Sequence, residues 1–557
     1  TLTLALGVER MARRRAVVRR LSAVEALGSV TVIATDKTGT LTENRLKVVE
    51  VFTSDEAGLI AAAVLANDAD EQGSAGDPLD LALLDHARRG GFDVSAIRRG
   101  SPRLSARPFD STWKYMRVTV QSPAGPTSYL KGATEAILPR TRLEAAEARA
   151  WRDIVERESE RGHRIIAVAR GRDEDELELI GLVAFWDPPR EGVRAAIGSV
   201  LQAGARVLMI TGDHPTTAGA VAAQVGFETP RVVTGDELRA LPAEERTRRL
   251  ASVDVIARAT AEDKLLIVEA LQRAGEVVAM TGDGINDAPA LKKADVGVAM
   301  GKRGSDVARE VSDLVLLDDN FSTIVSAVEE GRNIRDNIQK FIRFTFSTNV
   351  ALAILVLGGA IGSYAIGLRD GAGALILPLT AIQVLFINFV GDGPPALALA
   401  MDKSPSAMRN PPQPSATPLL DRRALGFILM SGSLHGAFGL GLLLLLPRFG
   451  LEVAAIQTLV FLYEASAKLV SVYPARRGAG ETTPNRALRI ALGLGLTLIA
   501  CCIAVPPLRA VLGLTMPSAT GVLGVALSVF ATWAIAELVV LRGSPGFWSR
   551  ATRPAVP

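Results

Sequence analysis

The pattern of polar and apolar residues along the chain changes near Lys340. Residues before this point are rich in Glu, Asp and Arg, and residues after it are mostly Leu, Ala, Gly, Val and Ile. A helix needs about 20 apolar residues to cross a bilayer, and six stretches are long enough. They run approximately over 341–363, 374–398, 424–447, 454–473, 488–507 and 518–541. The pattern predicts a soluble front followed by an all-α transmembrane bundle of six helices.

Basic residues between these stretches predict the orientation of the bundle. The connections between the second and third and between the fourth and fifth stretches, and the segment after the sixth, carry Lys403, Arg409, Arg422, Arg423, Arg476, Arg477, Arg486, Arg489, Arg542, Arg550 and Arg553. The alternate connections carry only Arg369, Arg448 and Arg509. Because positive loops stay on the cytoplasmic side, we expect the soluble front and the C-terminus to face the cytoplasm.

The soluble front alternates short apolar runs with helical patterns. The runs at 206–210, 253–257, 277–280 and 296–299 are typical of the buried strands of a doubly wound α/β sheet, and the run at 30–34 precedes them. Residues near 48–186 have strands of their own, at 115–121, 165–170 and 180–185, and are predicted to form an inserted unit. The Asp-Pro-Pro-Arg segment at 187–190 predicts a stiff hinge, since proline fixes the backbone.

Composition excludes some classes of function. A net charge of +3 over 557 residues gives no reason to expect a nucleic-acid partner. The two cysteines, Cys501 and Cys502, are adjacent in an apolar run and offer neither a disulfide framework nor a metal-site spacing. The four histidines are scattered, which argues against a zinc site.

The most informative motif follows the first apolar run. Residues 35–43 read Thr-Asp-Lys-Thr-Gly-Thr-Leu-Thr-Glu, so a buried strand ends on Asp36 at a glycine-containing turn. A simple turn would explain a lone Asp-Lys pair, but not the whole string. The string resembles the phosphorylation motif of the P-type ATPases, in which an Asp carboxylate becomes an aspartyl-phosphate. The resemblance implies that ATP phosphorylates Asp36.

Three further motifs follow predicted strands in the second half of the front. They are Thr211-Gly212-Asp213, Lys264 near the start of a helix, and residues 281–289 with Asp283, Asn286 and Asp287. Ligands bind at the carboxyl ends of parallel strands, so we expect all of them to converge with Asp36 on one crevice. Taken singly, Lys264 would be a solvated helix residue and the Gly-Asp pairs would be turns.

The resemblance also implies roles for these residues. Lys37 and Lys264 would neutralise developing charge, and Thr211 would bond the phosphoryl group. Mg²⁺, which prefers oxygen ligands, would be held by Asp36, the Thr38 carbonyl and Asp283. Asn286 and Asp287 would organise the site. Such chemistry is positioning and electrostatics around a metal.

The inserted unit resembles the nucleotide-binding domain of the same family. The resemblance implies that Phe109 stacks on adenine, that Lys131 and Gly132 line the pocket, and that Arg164 reaches the phosphates of ATP. A buried Phe109 in the core is the competing interpretation. The remaining nucleotide-site candidates are Asp80, which stands where many relatives carry Glu, and Arg258.

Polar residues inside predicted spans suggest an ion site, because they are costly there. Asn349 lies in the first span, and Asn388 and Asp392 share a helix face in the second. We expect Gly391, Gly393 and the prolines at 394–395 to interrupt that helix and expose carbonyls; a carboxylate that merely caps the break is the alternative. These segments are similar to the ion-site helices of calcium and sodium/potassium pumps.

Two departures from two-ion calcium pumps favour a single ion site. Leu352 stands in place of a Glu, and Gly391 in place of a Thr. In the fourth span Glu464 aligns with a family ligand, and Lys468 lies one turn later. We expect these two to form a neutralising pair. The alternative is that Lys468 is a tethered counter-cation that changes the charge moved per cycle.

The resemblance implies a HAD-like (haloacid-dehalogenase-like) Rossmann catalytic domain with an inserted α+β nucleotide-binding domain, plus an all-α transmembrane bundle. The expected domains are a transmembrane helix end and stalk (1–27), the phosphorylation domain (28–47 and 187–336), the nucleotide-binding domain (48–186), six transmembrane helices (337–545) and a cytoplasmic tail (546–557). The front of such a pump, with its actuator domain and first helices, is expected upstream of residue 1 or on another polypeptide, so the chain alone should not complete transport.

The expected function is ATP-driven cation transport through an aspartyl-phosphate, with ATP and Mg²⁺ as cofactors and a bilayer around the bundle. Ca²⁺ is the preferred ion, and Mn²⁺, Na⁺ and H⁺ remain open. A HAD-type phosphatase with a membrane anchor and a regulatory remnant are the other classes. Phosphatases of this superfamily place a second Asp two residues after the nucleophile, where this chain has Thr38. The excess of Arg over Lys suggests a bacterial cell membrane.

Overall fold

The computed structural model describes residues 2–71, 75–110, 112–123, 125–172, 176–367, 369, 373, 375–404, 407–409, 411–412, 420–479 and 483–543. The predicted tail at 546–557, with Arg550 and Arg553, lies outside the described residues. The chain divides into two compact units. The first contains Thr1–Arg14, Arg20–Ser29 and Ser326–Pro557, and the second contains Arg15–Arg19 and Val30–Val325.

All the strands of the described residues lie in the second unit. They are β1 (Ala16–Val18), β2 (Val32–Asp36), β3 (Lys47–Phe52), β4 (Arg103–Arg107), β5 (Tyr115–Ser122), β6 (Gly125–Ala133), β7 (Arg164–Gly171), β8 (Glu178–Trp186), β9 (Arg206–Ile210), β10 (Val232–Thr234), β11 (Val255–Ala257), β12 (Val278–Gly282), β13 (Val296–Met300) and β14 (Leu314–Leu316).

The helices occur in both units. They are α1 (Leu2–Arg13), α2 (Leu21–Ser29), α3 (Glu56–Leu65), α4 (Pro78–Arg89), α5 (Val94–Gly100), α6 (Thr134–Ile137), α7 (Ala145–Glu160), α8 (Val193–Gln202), α9 (Pro215–Val225), α10 (Gly235–Ala240), α11 (Ala243–Leu250), α12 (Ala261–Arg273), α13 (Ala288–Lys293), α14 (Asp306–Val311), α15 (Phe321–Ala365), α16 (Ala381–Ala400), α17 (Arg422–Leu445), α18 (Val453–Val470), α19 (Val472–Arg477), α20 (Arg486–Ala504), α21 (Pro506–Val511) and α22 (Ala519–Gly543).

The central sheet has eight strands in the order β1-β14-β13-β12-β2-β9-β11-β10. Only β1 is antiparallel to its neighbour, β14. The strand β2 lies between β12 and β9, parallel to both. Its apolar residues are buried because helices cover both faces of such a sheet. The structure therefore confirms the α/β sheet and brings the carboxyl ends of β2, β9 and β12 side by side.

The second sheet is antiparallel, with six strands in the order β3-β8-β7-β6-β5-β4. The chain enters it at β3 and leaves it from the neighbouring strand β8, so the inserted segment begins and ends at one place. Asp187 joins the two connections: it accepts hydrogen bonds from the Thr42 hydroxyl at 2.5 Å and from the Arg45 N–H at 3.0 Å. These bonds hold the predicted hinge.

Within the part of the chain that the structure describes, six helices are long and apolar enough to cross a membrane: Phe321–Ala365, Ala381–Ala400, Arg422–Phe449, Val453–Arg477, Arg486–Ala504 and Ala519–Arg542. They confirm the six predicted stretches. The first has 45 residues, or about 68 Å at 1.5 Å per residue, and it extends well before the apolar stretch that predicted it. The polar residues before Lys340 continue this helix.

One sequence expectation about these helices is wrong. The helix α16 runs without interruption through Gly391, Gly393, Pro394 and Pro395. Prolines are tolerated in such helices when their surroundings compensate. Because proline has no N–H, the carbonyls four residues earlier, at Val390 and Gly391, lose their helical donor. Carbonyls are thus released without a break in the helix.

Candidate functional site

Asp36 occupies the carboxyl end of the central strand β2. Its N–H donates to the Thr281 hydroxyl at 3.0 Å, and its Oδ1 accepts the N–H of Thr38 at 3.2 Å. The chain turns at Gly39, whose φ of 71° is in the left-handed region that favours glycine. The Asp36 side chain is 22% exposed. Its carboxylate is thus fixed in direction and still accessible to a substrate.

Lys264 provides the cation bonded to Asp36. It lies in the first turn of α12, which begins after the capping box formed by Thr260 and Asp263. Its ammonium donates to Asp36 Oδ2 at 2.6 Å and to Asp287 Oδ1 at 2.9 Å. Burial opposes its charge, but the carboxylates of Asp36 and Asp287 outweigh burial and raise the pKa of Lys264. The interpretation of Lys264 as a solvated helix residue is wrong.

Lys37 has a different partner. Its ammonium donates to Asp213 Oδ2 at 2.6 Å, and both side chains are largely buried. Burial would raise the pKa of Asp213, but the charge and hydrogen bond of Lys37, helped by Arg164 and Thr211, together outweigh it and lower the pKa. The positive charge of Lys37 is therefore already neutralised, and the direct role on the phosphoryl group stays a prediction.

The Thr211-Gly212-Asp213 segment leaves β9 next to Asp36. The Thr211 hydroxyl accepts the N–H of Asp213 at 3.2 Å, and the Thr211 carbonyl accepts the N–H of Ala259 at 3.0 Å. The Arg258 N–H donates to the Asp213 carbonyl at 3.1 Å. These bonds hold the loop after β9 against the segment that leads to α12.

The loop after β12 is organised by Asp287. Its Oδ2 accepts the N–H groups of Asp283 at 3.2 Å and of Gly284 at 3.1 Å. A Cβ at Gly282 would lie 2.6 Å from the Cβ of Asp287, so only glycine permits this approach. Asn286 is exposed and makes no side-chain hydrogen bond within the described residues. Of the two predicted residues, Asn286 and Asp287, it is Asp287 whose side chain holds the loop after β12 together.

The predicted magnesium ligands suit the ion. Burial is the main reason that the pKa of Asp283 is raised, and the negative charge of Asp36 raises it further. The negative potential that raises the pKa of Asp283 would also attract a cation. Among the described residues, no group of three or more His, Cys, Asp or Glu could hold a metal. Mg²⁺ is commonly bound by one or two carboxylates together with substrate phosphates, so Asp36, Asp283 and the Thr38 carbonyl fit it.

Arg303 belongs to this site, although the motifs did not identify it. It lies just after β13, and a Cβ at Gly39 would overlap its guanidinium group. Its Nε lies 3.4 Å from Asp319 Oδ2, and its Nη2 lies 3.9 Å from Asp283 Oδ2. The available signal was its position after a parallel strand beside β12, since ligands bind at such strand ends.

The nucleotide-site candidates are only partly brought together. Asp80 and Lys131 form a buried ion pair, and Asp80 Oδ2 also accepts the N–H of Asp68 at 3.0 Å. Burial outweighs the charge of Asp80 and lowers the pKa of Lys131. Phe109 is 57% exposed in the loop between β4 and β5, so its interpretation as a core residue is wrong.

The other three candidates lie on different elements. Gly132 on β6 is close to β5, because a Cβ there would lie 2.5 Å from the Cα of Tyr115. Arg258 forms an ion pair with Glu135. Arg164 is exposed at the start of β7, and its charge helps to lower the pKa of Asp213.

In the first unit, Asn388 and Asp392 meet through a lysine. The Lys468 ammonium donates to Asn388 Oδ1 at 2.8 Å and to Asp392 Oδ2 at 2.9 Å. The expected pair of Glu464 and Lys468 is wrong: the Nε2 of His435 lies 3.2 Å from Glu464 Oε2 instead. A one-turn spacing on α18 permits the pair, but the packing of the helices turns each side chain toward a different neighbour.

Asn349 is not brought to this cluster. Its side chain is exposed on α15 and makes no hydrogen bond within the described residues. Leu352, one turn later, packs against the apolar core of the helices. Asn349 therefore stays a predicted ligand without structural support.

Comparisons with known proteins agree with this architecture. Residues 30–295 match the family model described as haloacid dehalogenase-like hydrolase. Residues 376–541 match the model described as Cation transporting ATPase, C-terminus. The first covers the inserted unit and five strands of the central sheet, namely β2, β9, β10, β11 and β12. The second covers the last five apolar helices. The chain thus combines a HAD-like α/β region with a transmembrane helical bundle.

Individual relatives are similar over most of the chain. A Schizosaccharomyces pombe protein named calcium-transporting ATPase 1 is 38% identical over 485 residues, which is 77% of this chain and 52% of that protein. A Lactococcus lactis protein of the same name is 38% identical over 476 residues, 78% of this chain and 53% of its own length. The human calcium-transporting ATPase type 2C member 1 is 35% identical over 481 residues, which is 77% of this chain and 51% of that protein.

The chain spans about half the length of the curated relatives it matches. The two family models together include the phosphorylation motif at 35–43 and the last five apolar helices. On these matches, together with its two family models, the chain belongs to the P-type cation-transporting ATPase family.

Proposed function

We propose that this chain is the catalytic and C-terminal membrane portion of an ATP-driven cation pump that is phosphorylated on Asp36. The main support for this proposal is the environment of the Asp36 carboxylate. It is accessible, it accepts a hydrogen bond from Lys264 at 2.6 Å, and it lies where β2, β9 and β12 end together. This arrangement supports phosphoryl transfer to an aspartate better than any other chemistry of the site.

The transfer requires a carboxylate that is held in line with the γ-phosphorus of ATP. The Thr38 N–H fixes Oδ1 of Asp36, and the ammonium of Lys264 shields the charge. A bond forms between an Asp36 oxygen and phosphorus, the bond to the bridging oxygen breaks, and ADP leaves. Bound Mg²⁺, held by Asp36, Asp283 and the Thr38 carbonyl, would neutralise phosphate charge. Thr211 and Gly212 would donate hydrogen bonds to the transferred group.

ATP would approach from the inserted unit. The exposed ring of Phe109 is available for stacking on adenine. The positive charge of the exposed Arg164 helps to lower the pKa of Asp213, which supports a position near the phosphates of ATP. Lys131 and Asp80 would act as one neutral pair that shapes the pocket, with Gly132 beside them, while Arg258 and Glu135 would line the entrance to the crevice.

The proposed cargo is Ca²⁺, bound at a single site around Asn388 and Asp392. The names of the relatives support calcium, and the two missing ligand positions, Leu352 and Gly391, support one site. Asn349 and Glu464 are further candidate ligands. Mn²⁺, Na⁺ and H⁺ are the competing ions, and the proposed location is a bacterial cell membrane with the α/β region in the cytoplasm.

A HAD-type phosphatase is the second candidate. It is disfavoured by Thr38, since the water-activating Asp expected at that position is replaced by a hydroxyl residue. The phosphoenzyme should therefore be long-lived. A regulatory remnant would not be labelled by ATP at all, so one experiment separates the three readings.

The test is acid-stable labelling of the full-length gene product by γ-labelled ATP with Mg²⁺. We expect label in the wild type and none in Asp36→Asn. The matched control is Asp306→Asn, because the Asp306 side chain is 95% exposed and pairs with Arg309 rather than with a predicted site residue. Undiminished label in Asp36→Asn would refute the assignment. Adding Ca²⁺, Mn²⁺, Na⁺ or H⁺ in turn identifies the cation that stimulates labelling.

A further inference from the structure

The first unit, which contains the apolar helices and is called the membrane unit from here on, has a lysine in an unusual position. The Lys468 side chain on α18 is fully buried, with an exposed fraction of 0%. Removing an ammonium from water costs several kcal/mol unless partners compensate. Its partners are Asn388 and Asp392 on α16, the two residues proposed above to bind the transported cation. The ammonium group of Lys468 therefore occupies part of the site expected for the transported cation.

The neighbouring sequence is adapted to this lysine. A Cβ at Gly391 would lie 2.9 Å from Cδ, 3.2 Å from Cγ and 3.4 Å from Cε of Lys468. A larger residue at this position would displace the lysine stem. The departure at Gly391, where two-ion calcium pumps carry Thr, is thus explained by the space that Lys468 needs.

The lysine is not neutralised by the acidic residue on its own helix. Glu464 is one turn earlier, but its carboxylate faces His435 on α17 at 3.2 Å, and both side chains are buried. Asp392 is the acidic residue that forms an ion pair with Lys468. The charge of Lys468 is therefore directed at the carboxylate of the cation site.

The site still has acceptors in excess. Oδ1 of Asp392 is buried and has no hydrogen-bond partner within the described residues. The carbonyls of Val390 and Gly391 lack their helical donors, because Pro394 and Pro395 have no N–H. The unpartnered Oδ1 of Asp392 is an oxygen ligand of the kind that a hard cation prefers.

We propose that the Lys468 ammonium is an internal cation of the Asn388–Asp392 site, which neutralises Asp392 when no cargo is bound and competes with the cargo for it. The inference rests on the proposed function, since it assumes that this pair binds the transported ion. Its consequence is a site tuned to a weaker affinity than its oxygen ligands alone would give.

The test is equilibrium binding of radioactive Ca²⁺, without ATP, to the full-length gene product in lipid vesicles. In Lys468→Met the stem remains and the charge is lost, so we expect binding to tighten by about 5- to 150-fold, the usual range of coupling between two ligands. Lys468→Arg keeps the charge and should stay close to the wild type. Unchanged or weaker binding in Lys468→Met would overturn the proposal.

A matched control removes another buried lysine of the same unit. Lys340 is 1% exposed and pairs with Asp402, so Lys340→Met makes the same change away from the proposed site. Its Ca²⁺ affinity should equal that of the wild type; equal tightening in both variants would contradict a specific role of Lys468.

A second variant covers the case in which Lys468→Met does not fold. Gly391→Ala pushes the lysine stem away from Asp392 and should also tighten Ca²⁺ binding; an unchanged affinity would count against the proposal. ATP labelling of Asp36 in the wild type is measured in parallel. Absent label means that the proposed function fails, whereas normal label with unshifted Ca²⁺ binding means that only the role of Lys468 fails.

Discussion

Replacement of Lys264 by methionine tests the phosphoryl-transfer site most directly. The variant loses the bonds of 2.6 Å to Asp36 and 2.9 Å to Asp287 but keeps a side chain of similar length. Hydrogen bonds to charged groups contribute about 1.5–3 kcal/mol each. Only the part that strengthens in the transition state affects the rate, and one preorganised donor typically contributes about 10²–10³ in rate. We expect labelling of Asp36 to slow by that factor.

The fold should tolerate this change. Asp287 keeps its bonds to the N–H groups of Asp283 and Gly284, and Asp36 keeps the bonds with Thr38 and Thr281. The loops that surround the carboxylate are therefore still tied together. The substitution should therefore lower the rate of phosphoryl transfer more than it lowers the free energy of unfolding.

The assay is rapid-mixing measurement of acid-stable phosphoenzyme at saturating ATP and Mg²⁺. Lys293→Met is the matched control, because Lys293 is exposed on α13 in the same unit. Lys264→Arg keeps the charge in a planar fork of different geometry and should recover part of the rate. A labelling rate in Lys264→Met equal to the wild type, or an equal loss in Lys293→Met, would refute the reasoning.

Two further substitutions test neighbouring parts of the site. Phe109→Ala should raise the ATP concentration for half-maximal labelling at least about fivefold, because stacking of a base on an aromatic ring contributes about 1–3 kcal/mol; Leu104→Ala, on a side chain of similar exposure, should leave it unchanged. Gly282→Ala should slow labelling, because its Cβ would lie 2.6 Å from the Cβ of Asp287 and overpacking costs about 1–3 kcal/mol. Gly284→Ala, whose Cβ would have only an ordinary contact at 3.5 Å, should label normally; equal rates in the two glycine variants would exclude the steric explanation.

The helices and strands were accessible from the sequence because their signals are local. Six apolar stretches predicted six membrane-length helices, and the apolar run before Asp36 predicted the strand that carries it. The motifs at the strand ends also predicted that Asp36, Thr211 and Asp283 would meet, since parallel strands bring their carboxyl ends to one edge. These inferences need only spacing and chain direction.

The sequence did not predict which charged side chains would pair with one another. Lys37 and Lys264 were both expected to act on the phosphoryl group, yet Lys37 bonds Asp213 and only Lys264 bonds Asp36. Arg303 carries no motif, and its position beside Gly39 depends on how the loop after β13 folds back. Several partners lay within reach of each flexible side chain, and packing selected one.

The membrane unit shows the same division. The sequence by itself determined that Asn388, Asp392, Glu464 and Lys468 lie within apolar helices, where polar groups must find partners. Only the tertiary structure decided that Lys468 bonds Asn388 and Asp392 while Glu464 faces His435. Periodicity fixes which residues share a face of one helix, but the rotation of each helix against its neighbours depends on contacts between residues far apart in the chain.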